Sequence, residues 1–234
     1  MDRVGLKLEA KRLINSHFPF FIVLFLPAVL IQLGYSVAYS MNPLHQADMN
    51  RAFNQIAQGT AHFGSNEVLN LWGISTVISI VSGLLLSGMM FVCIDILRRK
   101  SSFDQPVTKS FTILNRGQYF IGAIMIGIIT TVLTLLWSVL LVIPGIIKGF
   151  AYSQALNIYR DSVDAGKPIG YLEAITRSRK MMVSHKMDYF IMELSFIGWY
   201  ILNAFTYGIL LVWLQPYYQL SFASFYVKIA QTEQ

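Results

Sequence analysis

The stretch YFIGAIMIGIITTVLTLLWSVLLVIPGIIKGFAYSQALNIYR, Tyr119 to Arg160, decides the fold. From Tyr119 to Ile143 it carries no charged side chain. As a helix rising about 1.5 Å per residue, that run crosses a hydrocarbon core of about 30 Å. Pro144 and Gly145 then break it, because proline lacks an N–H and crowds the turn before it. Residues 145–159 return the chain as a short helix of about 22 Å. The same plan recurs at Tyr189 to Ala230, again 42 residues long: a run over 189–211, a break at Pro216 and a short run over 216–230. The pieces LLVIPG and LLVWLQP mark the two breaks. Two tight helical hairpins account for this repeat; paired proline-interrupted segments are also how some transporters build a substrate site.

Two further apolar runs, 18–39 and 71–96, are equally long and have no charge near their middles. The expected architecture is therefore an all-α, polytopic transmembrane bundle. An amphipathic segment, 1–17, leads into a single bundle, 18–230, and a tail, 231–234. The bundle has six membrane segments: 18–39, 71–96, 119–143, 145–159, 189–211 and 216–230. The last two hairpins are proline-broken, with short return helices. Composition agrees. Of 234 residues, 55% are hydrophobic, 14% aromatic and only 13% charged, about half the charged share of an average soluble domain. With a mean hydropathy of +0.53, such a chain can neither build a water-facing shell nor stay disordered.

The distribution of cations orients the bundle. If all six segments cross, sixteen of the eighteen Lys and Arg residues share one side, and only Arg51 and Lys148 lie opposite. Positive residues mark the cytoplasmic side, so both termini and the inner loops 97–118 and 160–188 are expected there, with 41–70 as an outer loop, in the cytoplasmic membrane. The net charge of +6 then belongs to the membrane face, and no nucleic-acid partner is expected. The cationic start followed by Phe18 to Leu33, with Ala38 and Ser40 beyond it, also has the outline of a signal cleaved after Ser40; the stretch is long enough to span, so a retained helix is expected. The single cysteine, Cys93, permits no internal disulfide.

Several constellations bear on function. Ser75, Ser79, Gly83 and Ser87 recur every four residues, forming a small-residue ridge suited to close helix packing, within one chain or between copies; Ala123, Gly127 and Thr131 do likewise. Glu193, Phe196, Tyr200, Asn203 and Tyr207 form a stripe at three-and-four spacing. Gln154, Asn157 and Asp161 share a face of the preceding return segment, where Asn157 and Glu193 come to similar depth. An acid in a membrane is a functional candidate, as proton carrier or cation ligand. Its alternative is a structural pair with Arg160 or a snorkelling Lys. Asp95, at helical spacing from Arg98 and Arg99, is expected to form a local ion pair. Two basic amphipathic stretches are candidates for the headgroup boundary. In the first, Leu6, Ala10, Leu13 and Ile14 oppose Lys7, Lys11 and Arg12; in the second, Tyr171, Ala174, Ile175, Met181 and Met182 oppose Arg177 and Lys180. These five cations are the candidate contacts to anionic lipid.

Four pieces carry a family resemblance: LKLEAKRLI near the start, IPGIIKGFAYSQALNIYRD from Ile143, AITRSRKMMVSHK from Ala174, and LSFIGWYILNAFTYGILLVWLQPYYQLSFASFY from Leu194. Together they resemble a family of bacterial integral membrane proteins catalogued as domain of unknown function 975. The family often has glycine where this chain has Ser184, and another near Leu210. The resemblance implies a polytopic bundle, distantly similar to the membrane domain that precedes the catalytic part of some glycerophosphodiester phosphodiesterases. It implies no activity.

The sequence contains no HExxH zinc pattern, no GxSxG elbow and no phosphate loop. The expectation is a non-enzymatic integral membrane protein, without catalytic residues, metal or cofactor, that binds membrane lipids or a partner membrane protein, or assembles as a homo-oligomer. The alternative is a small permease or export component using the broken hairpins and the polar stripe. An intramembrane enzyme is the third reading, for which Glu193 is the one titratable candidate.

Overall fold

The computed structural model describes residues 2–40, 65–206 and 208–232, with Asn54 and Gln58 between them. It is 84% helix, with no strand among the described residues. The chain opens with α1 (Arg3–Ser16), capped by Asp2, whose side chain accepts from Gly5 N–H at 2.9 Å. There follow α2 (Phe18–Ser40), α3 (Ser65–Leu97), the short α4 (Pro106–Ser110), a 3-10 turn (Thr112–Leu114) and α5 (Gly117–Leu140). The family-like second half adds α6 (Val142–Tyr152), α7 (Ala155–Asp164), α8 (Tyr171–Met181), α9 (Lys186–Phe205) and α10 (Leu211–Thr232). Among the described residues, three helices are long and apolar enough to cross a membrane: Phe18–Ala38, Ser75–Leu97 and Gly117–Leu140.

The breaks differ from the proline-centred ones expected. Pro144 is the third residue of α6, where its missing N–H would have had no helical partner; it starts the return helix. The break itself is Leu141, in extended conformation. Pro216 lies inside α10, costing one bond near the helix start. The turn before it is made by Gly208, at φ +85°, whose N–H donates to the Asn203 carbonyl at 3.0 Å. That left-handed conformation is open to glycine at little cost. Helix α10 therefore covers 211–232, about 33 Å, not the short segment 216–230. The other return segment is split: α6 ends at Tyr152 and α7 begins at Ala155. Ser178 of α8 seals the gap, donating to the Ala151 carbonyl (2.8 Å) and accepting from Gln154 N–H (3.2 Å). Ser184, where the family often has glycine, needs none, since among the described residues the non-glycine positions at positive φ are Arg99 and Gln105.

The helices pack tightly at one end. Phe21, Leu24 and Phe25 of α2, Met89 and Ile94 of α3, and Leu220, Phe225 and Tyr226 of α10 are buried in one cluster. A second cluster joins Tyr119 and Ile126 of α5 to Ala151, Ala155 and Tyr159 of the α6–α7 segment. At the other end the aliphatic side chains are bare: Leu30 and Val37 of α2, Val77 and Ile80 of α3, and Val132, Leu135, Val139 and Leu140 of α5 are exposed. Water does not tolerate a contiguous apolar belt of this kind; lipid does.

Both amphipathic stretches turn their apolar faces into the protein, not toward headgroups. Leu6, Ala10 and Ile14 of α1 are buried in the first cluster, and Ala174 and Ile175 of α8 in the second. Helix α1 straps the bundle: Arg3 pairs with Asp188 at 3.1 Å, and Lys7 donates to Ser195 Oγ at 2.8 Å with its amine 4.2 Å from the Phe196 ring centroid. Burial lowers the pKa of this lysine. Lys11, Arg12 and Lys180 stay exposed, and Arg177 makes an exposed 2.7 Å pair with Glu173.

Candidate functional site

A cavity of about 360 Å³ opens between α5, α6 and α9. It exists because two helices approach closely after the break at Leu141. A Cβ added to Gly145 would stand 2.8 Å from Ser138 Cα, so only glycine lets α6 lie this near α5. Gly149, one turn on, continues the contact, and both glycines line the cavity. Facing them are Thr134 and Ser138 of α5, Ser153 beyond the end of α6, and Tyr189 and Glu193 of α9.

Glu193 is half-buried. Tyr218 of α10 donates to its Oε1 at 2.6 Å, and Tyr189 is hydrogen-bonded to the same carboxylate. No cation among the described residues pairs with it. The structural alternative of a pair with Arg160 is thus overturned, because three aspartates claim that arginine. Ser138 and Ser153 donate their hydroxyl protons to their own helices, to Thr134 O and Phe150 O at 2.9 Å each. The Ser138 lone pairs therefore remain for the cavity beside the Glu193 carboxylate, whereas Ser153 also accepts from Gln154 Nε2 and is hydrogen-bonded to Tyr189.

The polar stripe of α9 is partly assembled around Tyr218. Tyr200 packs edge-on to it at 6.1 Å between centroids. Phe196 is fully buried against Tyr217, Tyr218 and Phe222. Asn203 lies farther along α9, its side-chain oxygen unpartnered among the described residues; Tyr207 lies outside those residues. Asn157 bonds not Glu193 but Gln154 Oε1, at 3.1 Å, and Gln154 donates to Ser153 Oγ at 3.0 Å. The two stripes read from the sequence thus lie at opposite ends of one polar chain, Asn157–Gln154–Ser153–cavity–Glu193.

An ionic clamp lies at the packed end. Arg160 of α7, with only 5% of its side chain exposed, reaches Asp95 of α3 (2.5 Å), Asp161 (3.2 Å) and Asp164 (2.9 Å). Arg98 holds Asp161 with two bonds of 2.8 Å, and Tyr226 of α10 donates to that carboxylate at 2.7 Å. Tyr119 of α5 donates to Asp164. Burial works to lower the pKa of the Arg160 guanidinium, but the Asp95 hydrogen bond and the charges of all three aspartates outweigh it and hold it raised. Arg98 is raised likewise, by Asp161 against burial. The expected local pairing of Asp95 with Arg98 and Arg99 is therefore corrected: Asp95 binds across to α7. A buried guanidinium has five N–H donors to satisfy, and Asp95 at the end of α3 joins Asp161 and Asp164 of α7 around it.

Of the ridge Ser75, Ser79, Gly83, Ser87, the two middle positions, Ser79 and Gly83, are exposed. Ser79 and Ser87 donate to Ser75 O and Gly83 O, at 2.8 Å each, and a Cβ on Gly83 would meet nothing within 4 Å. The close approach of α3 is made instead at Gly88, where a Cβ would stand 2.7 Å from Ile113 N. On α5, Gly122 against the Tyr159 ring takes the role expected of Gly127. Lys148 lies over Trp137, 4.4 Å from its centroid. The outer loop read at 41–70 lies, up to residue 64, outside the described residues apart from Asn54 and Gln58.

Thr134, Ser138, Ser153, Tyr189 and Tyr218 were not among the residues singled out in the sequence. The pattern that marks the cavity is a pair of four-residue spacings on adjacent segments, Thr134–Ser138 and Gly145–Gly149, one turn beyond the Ala123–Gly127–Thr131 set.

Residues 122–233 match the family model described as Protein of unknown function (DUF975), a stretch that contains every residue lining the cavity. No curated protein and no solved structure matches the chain.

Proposed function

We propose, from the match of residues 122–233 to the DUF975 family model, that the chain is a non-enzymatic, multi-pass protein of the cytoplasmic membrane that holds a lipid in the cavity between α5, α6 and α9. In this reading six segments cross, both termini are cytoplasmic, and the exposed cations Lys11, Arg12 and Lys180 meet anionic headgroups on the inner face. The observation that carries it is the cavity itself: a mostly apolar, open recess that holds an acid with which no described cation pairs, lined in part by Phe150 and the exposed Ile146. A lipid is a ligand with both parts.

The permease reading draws support from the polar chain from Asn157 to the cavity. Reagent access separates the two. Ser138→Cys in membranes is expected to react with a lipid-soluble maleimide and to resist a charged, impermeant one applied from both sides; the native Cys93 is fully buried and adds little background. Fast labelling of Ser138→Cys and Asn203→Cys by the charged reagent would favour a water-accessible path and overturn the lipid reading.

A further inference from the structure

Resting on the lipid-holding reading, we propose that the cavity is selective for a headgroup bearing a primary ammonium, with Glu193 as its anchor. Charge comes first. A half-buried carboxylate held by two phenols has room for a positive partner, and no described residue provides one: Arg160 is taken by Asp95, Asp161 and Asp164, and Lys7 by Ser195 and the Phe196 ring. Both phenols on Glu193 leave it acceptor capacity, since a carboxylate offers about four lone-pair sites.

Hydrogen-bond polarity comes second. The Ser138 hydroxyl has spent its proton on Thr134 O, so it meets a ligand as an acceptor, whereas Ser153 is already engaged by Phe150 O, Gln154 Nε2 and Tyr189. An ammonium with three N–H donors matches such a lining. A phosphate or free carboxylate has only acceptors and would be repelled by Glu193. Aromatic walls come third: Phe150 and Tyr189, 5.5 Å apart between centroids, both line the recess, and ring faces attract cations.

The test uses the full chain, purified in detergent and stripped of lipid, with native mass spectrometry reading the bound fraction. Four probes are titrated: phosphatidylethanolamine, its N-acetylated form, phosphatidylglycerol and free ethanolamine. Phosphatidylethanolamine is expected to bind about tenfold or more tightly than its N-acetylated form or phosphatidylglycerol, the loss of a charge-assisted bond to a buried group. Ethanolamine alone is expected to bind far more weakly. Glu193→Gln is expected to erase the preference and keep residual binding; Tyr218→Phe, which retains the carboxylate, is expected to reduce it only partly. Equal binding of the amine and its N-acetylated form overturns ammonium selection and leaves the lipid reading standing. Failure of all three lipids to bind overturns both. Ethanolamine binding as tightly as the lipid overturns the lipid source and points to a soluble amine. The comparison of wild type with acetylated lipid stands even if a variant fails to fold.

Discussion

Arg160→Leu is expected to destabilise the detergent-solubilised protein by about 3–5 kcal/mol. Leucine can fill much of the space, but it leaves Asp95 without its arginine, Asp164 with Tyr119 and a 3.4 Å contact to the exposed Arg116, and Asp161 with Arg98 and Tyr226. The aspartates keep 24–28% of their side chains exposed, so the freed charge is only partly hydrated unless the junction of α3, α5, α7 and α10 opens. The exposed pair Arg177–Glu173 is the internal comparison: Arg177→Ala is expected to cost no more than about 0.5 kcal/mol, because water and salt screen an i,i+4 surface pair. Thermal melts of the two variants side by side check the difference, and equal losses would show that the clamp is not a buried ion network.

Gly145→Leu is expected to have the second largest effect, on stability and on the cavity together. With Ser138 Cα only 2.8 Å from where a Cβ would lie, a larger side chain must push α6 from α5 or force off-rotamer packing, at about 1–3 kcal/mol. The added atoms also occupy the recess lined by Ser138 and Glu193. Gly127→Leu, at a glycine whose added Cβ meets nothing within 4 Å, is the matched control and is expected to be nearly neutral in a membrane environment. Loss of stability at Gly127 equal to that at Gly145 would contradict the assignment of the close approach.

The long apolar runs were legible because crossing a membrane needs length and lack of charge, both of which are local properties. The runs at 18–39, 71–96 and 119–143 correspond to the three helices that can span. Proline was read too literally. Pro144 and Pro216 each sit inside the helix that follows a break rather than at the break, since a first-turn N–H has no partner to lose and Pro216 gives up a single bond near its helix start. Gly208 and Leu141, which make the turns, are unremarkable among neighbouring residues of the same kinds.

Partners at long sequence distance were less accessible. Glu193 stood out as an intramembrane acid, but its neighbour Tyr218 is 25 positions away, and the arginine nearest by helical arithmetic was already committed to aspartates on two helices. Asp95 was assigned to its local neighbours for the same reason: i,i+3 spacing predicts proximity, and it does not weigh a buried guanidinium elsewhere that needs the same carboxylate. The amphipathic faces of α1 and α8 were correctly periodic. Periodicity tells which side is apolar; whether protein or lipid covers it depends on α10 and the α6–α7 segment, which only the tertiary arrangement brings there.

The most direct test of a lipid held beside Glu193 is the lipid count per chain in native mass spectra of wild type and Gly145→Leu, both extracted gently from the same membranes. One retained lipid on the wild-type chain, absent from a Gly145→Leu chain that keeps its helical content, is the expected result. A wild-type chain without bound lipid, or the same count on both chains, would contradict it.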